Sequence, residues 1–421
     1  MKNKNIEYIS YVSQDEKTSS HPHYQSIYKN PPEGYEFSSN PVNYRLNSEY
    51  DSYIDNLREE FTDLTNAEEA EKFINLRSTG GRQIPKNTKF CFVPTHGCFF
   101  TDRNWAGNYE DWTCLTAPHS SVQESGATHG LDLGNEPWVK LVKHVVMKDN
   151  CKFLFTHMKQ TIESLESIFG KDFSRKVIYL PLGVQPVDER IINNKLDHFS
   201  KKKNLCFLFT NSYGAGVPNF PLRGGMETFK AITKFLDAGY KNVKFYMAGP
   251  VPDQIKWEAR KHENIHIASR FLEDKEFEQL LFNTDVMLVP AMRVHTISIV
   301  NSMKYGIPCL GSDGWGFDQF IVDEFNGWTC EGQSHATYVD EDKIYRDNYY
   351  GGWDILPDGS RYVPLNEELA NNIFDKLCHI YENRDKLLTM QQNCVNFATK
   401  EFDIIKRNDV LKRKLDPFYG K

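Results

Sequence analysis

The sequence predicts an α/β chain of two doubly wound domains facing a cleft. Three observations carry this. Short apolar runs alternate with amphipathic helical patterns, as a parallel sheet with crossover helices requires. The alternation runs through one series, breaks at a polar stretch and begins again. A chain of 421 residues also exceeds what one core ordinarily organises.

In the first series the strand candidates are IEYISYV (6–12), KFCFVPT (89–95), TCLTA (113–117), KFLFT (152–156) and KVIYLP (176–181). Helical patterns fall between them. AEEAEKFINL (67–76) is the first. EPWVKLVKHVVM (136–147) sets Trp138, Leu141, Val142, Val145 and Val146 on one face. Lys140, Lys143 and His144 lie opposite, so this helix either covers a sheet or rests on anionic lipid. MKQTIESLESIFG (158–170) stops on a glycine. The polar run ERIINNKLDHFSKKKN (189–204) reads as the interdomain linker.

The second series opens with a strand, LCFLFTN (205–211), and a helix, GGMETFKAITKFLDAGY (224–240). KFYMAGP (244–250) and IHIAS (265–269) are strands, DKEFEQLLFNTD (274–285) a helix and VMLVPA (286–291) a strand. From His295 the chain reads as a short helix, a Gly306–Ile307–Pro308 turn and a brief strand to Ser312. A glycine-broken loop and a second helix ending at Asn326–Gly327 follow. Residues 333–364 are rich in Tyr and Gly and too irregular for a plain connection. The tail is helical throughout. The expected domains are residues 1–195, completed by a C-terminal helix from about 400 to 421, and residues 200–399.

Composition narrows the function. A formal net charge of −7 gives no general pull toward nucleic acid or anionic membrane. The exception is local: the tail carries Lys406, Arg407, Lys412, Arg413 and Lys414. Nine cysteines, an odd number without a C-x-x-C pair, several inside apolar runs, read as buried thiols in a reducing compartment. No run approaches the roughly 20 apolar residues of a spanning helix, and the N-terminus lacks a signal-peptide core. The expectation is a cytoplasmic protein, with a peripheral seat on a membrane open to it.

Two places have the residue types for anion binding. Strand 205–211 runs through NSYGAGVPNFPLRGG into a helix, with Arg223 just before the helix start. Helix-terminal amides beside a guanidinium suit a diphosphate; the alternative is a solvated surface arginine. The helix after VMLVPA begins near Thr296, and the amides of Thr296, Ile297 and Ser298 would face the cleft. The alternative there is an N-cap serving its own helix.

The order LFTN…RGG-helix, FYMAGP, strand–helix–LVPA, then MKYGIPCLGSDGWGFDQFIVDEFNGW is similar to a known arrangement. It resembles the nucleotide-binding domain of retaining glycosyltransferases of the GT-B fold, family 4 (glycosyl transferases group 1). FTHMKQTIESLESIFGKDFSRKVIYLPLGV resembles the closing segment of that family's N-terminal Rossmann-like domain. SHPHYQSIYKNPPEGYEF (20–37) resembles its acceptor-side opening loop.

The resemblance implies two Rossmann-like domains, with C-terminal helices packing back across them. It implies a nucleotide-diphosphate sugar as co-substrate, with no metal and no other cofactor. Arg223 stands where the family has a lysine, and His119 in APHSSVQES matches its cleft histidine; these are the expected catalytic residues. The donor would meet Asn211, Gly224 and Gly249 at the strand ends. Thr296, Ile297, Ser298 and Asn301 would meet it on the helix, and Arg270 and Phe271 beside the base. Glu124 and Asp102 are weaker cleft candidates, and His96, His129 and His157 compete with His119.

The family usually carries two glutamates eight positions apart; aligned on Asn301–Ser302–Met303 they become Arg293 and Asn301. Gly314–Trp315–Gly316–Phe317 is a second source for a sugar pocket. The expected function is sugar transfer to the hydroxyl of a glycan, lipid-linked or small-molecule acceptor, with retention of configuration. The alternatives are a non-catalytic nucleotide- or glycan-binding protein of this fold, a nucleic-acid base glycosyltransferase, and a two-domain enzyme such as a sugar-nucleotide epimerase. Nucleic acid is the disfavoured partner.

Overall fold

The computed structural model describes residues 4–8, 22–38, 88–93, 101–110, 131–132, 137–211, 217–333, 337–339, 344–347, 354–355 and 361–419. The chain divides into two compact units. One holds residues 1–183, 339–346 and 404–421; the other holds 184–338 and 347–403.

The first unit contains β1 (Lys4–Tyr8), α1 (Pro22–Lys29), β2 (Tyr35–Ser38), β3 (Cys91–Val93), β4 (Trp105–Asn108) and β5 (Leu131–Asp132). After these come α2 (Pro137–Met147), β6 (Cys151–Thr156), α3 (Lys159–Phe169) and β7 (Val177–Tyr179). Six strands pair in parallel in the order β2-β1-β3-β4-β6-β7. Ile344 and Tyr345, from the irregular 333–364 stretch, pair antiparallel with β5.

Phe90, Phe92, Ala106, Phe153 and Phe155 pack with Leu411 and Leu415 of the C-terminal helix Ile404–Tyr419. That helix therefore belongs to this unit's core, and its charge is partly committed. Arg407 is fully buried and donates to the carbonyls of Ser26 (3.4 Å) and Asn30 (3.1 Å). Lys412 faces Glu33 at 3.3 Å. The apolar face of α2 is spent the same way: Leu141, Val142, Val145 and Val146 are buried, so this helix covers the sheet.

The structure differs from the sequence reading at several places. The supposed opening loop (20–37) contains α1 and the first residues of β2. β4, WAGN, takes a place inside the sheet that no alternating pattern announces, because all four residues are buried. TCLTA and AEEAEKFINL lie outside the described residues.

The second unit begins with a larger correction. The expected linker is a helix, α4 (Glu189–Lys201). The Asp188 carboxylate caps it, accepting from the Arg190 amide at 2.8 Å. Ile192, Lys195 and Phe199 are its buried positions, spaced as one helical face. One of the three is a lysine, which is why the run reads as polar. The Lys195 ammonium donates to the carbonyls of Leu281 and Phe282, both at 2.9 Å, and to that of Thr284. It thus closes the C-terminal end of a later helix. Burial, opposed by the nearby Asp285 carboxylate, pulls its pKa down to about 7.

β8 (Leu205–Thr210), α5 (Gly225–Asp237), β9 (Val243–Ala248), α6 (Asp253–Ala259), β10 (Ile265–Ala268) and α7 (Asp274–Asn283) follow. Then come β11 (Val286–Val289), α8 (Thr296–Lys304), β12 (Cys309–Ser312), β13 (Gly327–Cys330), α9 (Glu367–Glu382) and α10 (Leu387–Glu401). The six strands are parallel in the order β10-β9-β8-β11-β12-β13. The strand order reverses between β8 and β11, where open α/β sheets bind ligands beyond the carboxyl ends.

The helix expected to end at Asn326–Gly327 is reduced to a single turn, Phe317–Gln319. Asn326 is buried and serves the loop: its Oδ1 accepts from the Val322 amide (2.8 Å) and its Nδ2 donates to the Phe320 carbonyl (3.0 Å). Gly327 starts β13 rather than ending a helix; a Cβ there would lie 2.4 Å from the Cys309 carbonyl oxygen. Of the described cysteines all are free thiols, buried except for half-buried Cys378. Among the described residues no helix is long and apolar enough to cross a membrane.

Candidate functional site

The site takes shape at the carboxyl edge of the second unit's sheet. The segments leaving β8, β9, β11 and β12 are drawn onto one another by missing side chains. Gly224 has φ +69°, and a Cβ there would sit 2.2 Å from the Pro290 carbonyl oxygen. Gly249 has φ +106°, and its Cβ would meet the Asn211 carbonyl oxygen at 2.2 Å. Both positions need the left-handed backbone and the empty space that glycine alone supplies. The Met292 amide donates to the Leu222 carbonyl at 3.2 Å. Arg223 therefore lies between two residues that both touch the β11–α8 connection.

That connection is held from several sides. Ser312 Oγ donates to the Ala291 carbonyl at 2.6 Å, and Gln333 Nε2 donates to the Pro290 carbonyl at 2.9 Å. The Asp313 carboxylate accepts the amides of Gly332 (3.0 Å) and Gln333 (2.8 Å), which fixes the glutamine's backbone. Val294 donates to the Trp315 carbonyl at 3.0 Å, and the Arg293 guanidinium stands 5.9 Å from the Trp315 ring centroid. The Gly–Trp–Gly–Phe segment is thus tied to this connection through Trp315, with Arg293 beside its ring.

α8 starts with no side-chain cap from His295. Its backbone ladder begins with the Ile299 amide donating to the His295 carbonyl at 3.1 Å. The amides of Thr296, Ile297 and Ser298 come before that first bond, at the positive end of the helix dipole. Thr296 is buried, while Ile297, Ser298 and Asn301 are half-buried.

The expected site residues thus separate into groups. Arg223, Gly224 and Thr296–Ser298 belong to elements joined at β11, while Asn211 and Gly249 close the β8–β9 corner. Asn211 is occupied with the framework: its Nδ2 donates to the Pro250 carbonyl (2.8 Å) and its Oδ1 accepts from Asn219 Nδ2 (3.0 Å). Arg270 and Phe271 follow β10, the outermost strand. The Arg270 guanidinium grips the Glu276 carboxylate, at 2.8 and 2.5 Å, and holds its pKa down to about 2. It is engaged at the start of α7. His119 and Glu124 lie outside the described residues, as do His96 and His129. Asp102 projects into solvent.

Sequence reasoning misses Glu227. It sits in the first turn of α5, is buried, and accepts the Asn366 amide at 3.0 Å. Burial raises its carboxyl pKa. Asn366 in turn caps α9, its Oδ1 accepting from Leu369 at 3.0 Å. An acidic residue two places into a helix looks like ordinary dipole pairing, so no sequence signal marks this joint.

Residues 224–344 match the family model described as "Glycosyl transferases group 1". The match is confined to this segment. Its boundaries take in Gly224, the whole β11–α8 connection and Gln333, the residues that build this edge. Comparison with curated proteins gives no significant match. Among solved structures, Anabaena HepE in complex with UDP and glucose is 10% identical, with a TM-score of 0.56 over 98% of this chain and 99% of its own. Sucrose-phosphate synthase from Thermosynechococcus elongatus is 11% identical, with a TM-score of 0.56 over 98% and 99%. WaaG, a glycosyltransferase of lipopolysaccharide biosynthesis, is 13% identical, with a TM-score of 0.52 over 97% and 98%. At such identities these likenesses establish the fold, which is GT-B.

Proposed function

We propose that the chain moves a sugar from a nucleotide-diphosphate sugar to an acceptor hydroxyl, with retention of configuration and without a metal ion. The observation that carries this is the seating of Gly224 on the Pro290 carbonyl, within the segment that matches glycosyl transferases group 1. It brings Arg223 to the connection that leads into α8. A guanidinium and a helix N-terminus at one sheet edge are what a departing diphosphate needs. The helix-start amides are set by the fold, so stabilising the leaving diphosphate is the main catalytic term of this reading. Attack by the acceptor hydroxyl on the face the diphosphate leaves would keep the configuration. That HepE is described with UDP and with glucose supports a nucleotide sugar as the donor class. The acceptor is a glycan, lipid-linked or small-molecule hydroxyl.

A second reading, a binding protein without turnover, rests on the resemblance: aligned on Asn301–Ser302–Met303, Arg293 and Asn301 fall where the family usually carries its two glutamates. Thermal unfolding against a panel of nucleoside diphosphates and their sugars separates the two in steps. A ligand at ~100 times its dissociation constant adds about 2.7 kcal/mol. The expected result is stabilisation by one nucleotide series, lost in Arg223→Ala. Stabilisation without product, across acceptor pools, favours the binding protein. No stabilisation by any nucleotide overturns the donor reading.

A further inference from the structure

The first turn of α5 carries a carboxyl that the donor reading leaves without a task. Glu227 is 5% exposed, and its Oε2 has no hydrogen-bond partner among the described residues. A buried acceptor left unpaired costs folding free energy, and an apolar side chain of similar size would avoid that cost.

The contacts that Glu227 does make close a ring. Its Oε1 accepts the Asn366 amide at 3.0 Å. Asn366 Nδ2 donates to the Gly332 carbonyl at 2.7 Å. The next residue, Gln333, donates from Nε2 to the Pro290 carbonyl at 2.9 Å. Against that same carbonyl oxygen lies Gly224, where a Cβ would stand 2.2 Å away. The Gly224 carbonyl in turn accepts from the amide (2.9 Å) and Oγ1 (2.7 Å) of Thr228, the residue after Glu227. The ring thus starts and ends at the beginning of α5, and all of it lies in the second unit.

Three side chains build the ring, and each grips backbone. A joint that served only to seat α9 would need the first link alone. The further links run from Asn366 to the donor edge. Cutting the ring at Glu227 leaves the Asn366 amide without its acceptor and loosens the 332–333 corner, and with it the Pro290 carbonyl. Pro290 leads into the connection to α8 and lies under the residue that follows Arg223. A displacement there reaches both groups that the donor reading assigns to the diphosphate, and shifts of about 1 Å are enough to weaken such a site.

We propose that Glu227 is a positioning residue of the donor edge: by way of Asn366 and Gln333 it holds the Pro290 carbonyl under Gly224, and so sets Arg223 and the start of α8 for a diphosphate. The proposal rests on the transferase reading and adds to it a residue that acts without touching the donor. Calorimetric titration well below the unfolding transition tests it, with UDP, GDP, ADP and CDP as probes. At least one should bind the wild-type chain. Glu227→Leu, of similar size and without an acceptor, should bind it about tenfold more weakly; Glu227→Gln, which keeps the acceptor, should recover most of the affinity. Asn366→Ala should weaken binding on its own yet add little to Glu227→Leu, since both cut one ring. A purely structural joint would lower the melting temperature and leave affinity alone. Unchanged affinity in Glu227→Leu therefore overturns the proposal, as does a full sum of the two single effects in the double variant. If Glu227→Leu fails to fold, Glu227→Asp, which draws the acceptor back by one methylene, decides: weaker binding supports the proposal and unchanged binding overturns it. Binding lost in Arg223→Ala but kept in Glu227→Leu would leave the donor reading standing and sink this inference alone. A wild-type chain that binds none of the four overturns both.

Discussion

At the carboxyl edge of β8 and β11 the decisive contacts are made by backbone. Gly224 lies on the Pro290 carbonyl, Gly249 on the Asn211 carbonyl, and α8 starts with no side-chain cap. At the carboxyl edge of β4 and β6 the contacts are made by side chains instead: His157 beside Glu110, His23 beside Asn108. The contrast teaches what each edge can recognise. A diphosphate is much the same in every nucleotide sugar, and a rigid array of amides fits it without choosing. Side chains vary where backbone cannot, and they are how a scaffold chooses among ligands.

The comparison predicts where substitutions hurt most. A methyl group at Gly224 or Gly249 must push a carbonyl oxygen from 2.2 Å and hold a left-handed backbone at once. Gly224→Ala and Gly249→Ala should each cost about 2–4 kcal/mol of stability, read by urea unfolding, with nucleotide stabilisation lost in Gly224→Ala. Side-chain truncations at the other edge should cost less and leave nucleotide response intact. A Gly224→Ala chain that keeps full stability would break the backbone account of this edge.

Lys195 sharpens the comparison, because there a side chain in the second unit does the work of a helix cap. Lys195→Met removes the donor from three carbonyls and should cost about 1–3 kcal/mol. The pH dependence has a definite sign. Burial lowers the folded pKa from 10.5 to about 7, so above pH 7 the unfolded chain binds the extra proton and stability rises with pH. The rise ends where the buried thiols take over. Cys151, Cys309 and Cys330 are pushed up to about 12 by burial, so they ionise first in the unfolded chain, above their ordinary value of 9.0. Denaturation from pH 7 to about 8.5 should show wild-type stability rising relative to Lys195→Met, at most about 1.4 kcal/mol per pH unit. A flat difference means that Lys195 stays charged, held by its carbonyls.

These cases also show what a sequence exposes. The second unit is legible because it is built on order: strand, glycine, helix start, repeated at the spacing a parallel sheet demands. α4 escapes because one of its three buried positions is Lys195, whose ammonium satisfies carbonyls that no local pattern reveals. β4 escapes because WAGN is buried on both faces and too short to show alternation. The His23–Asn108–Glu110–His157 cluster is invisible as a unit, since its members come from three separated stretches and only strand pairing joins them. In sequence His157 is one lone histidine among several, and the one preferred to it, His119, lies outside the described residues.

The smallest expected effect is the most pointed. The sequence offers Arg270 and Phe271 as neighbours of the nucleotide base, a side-chain device beside an edge whose closest approaches are made by backbone. The structure gives the Arg270 guanidinium, just past the edge strand β10, to Glu276 at the start of α7. If backbone recognises the base, Arg270→Ala should leave the order of stabilisation by UDP, GDP, ADP and CDP as it was. The melting temperature should scarcely move, because an exposed ion pair adds little. An altered order would put a side chain at the base after all. Glu276→Gln would then say how: by freeing the guanidinium it should strengthen the preference if Arg270 reaches the base, and leave it unchanged if α7 had simply shifted.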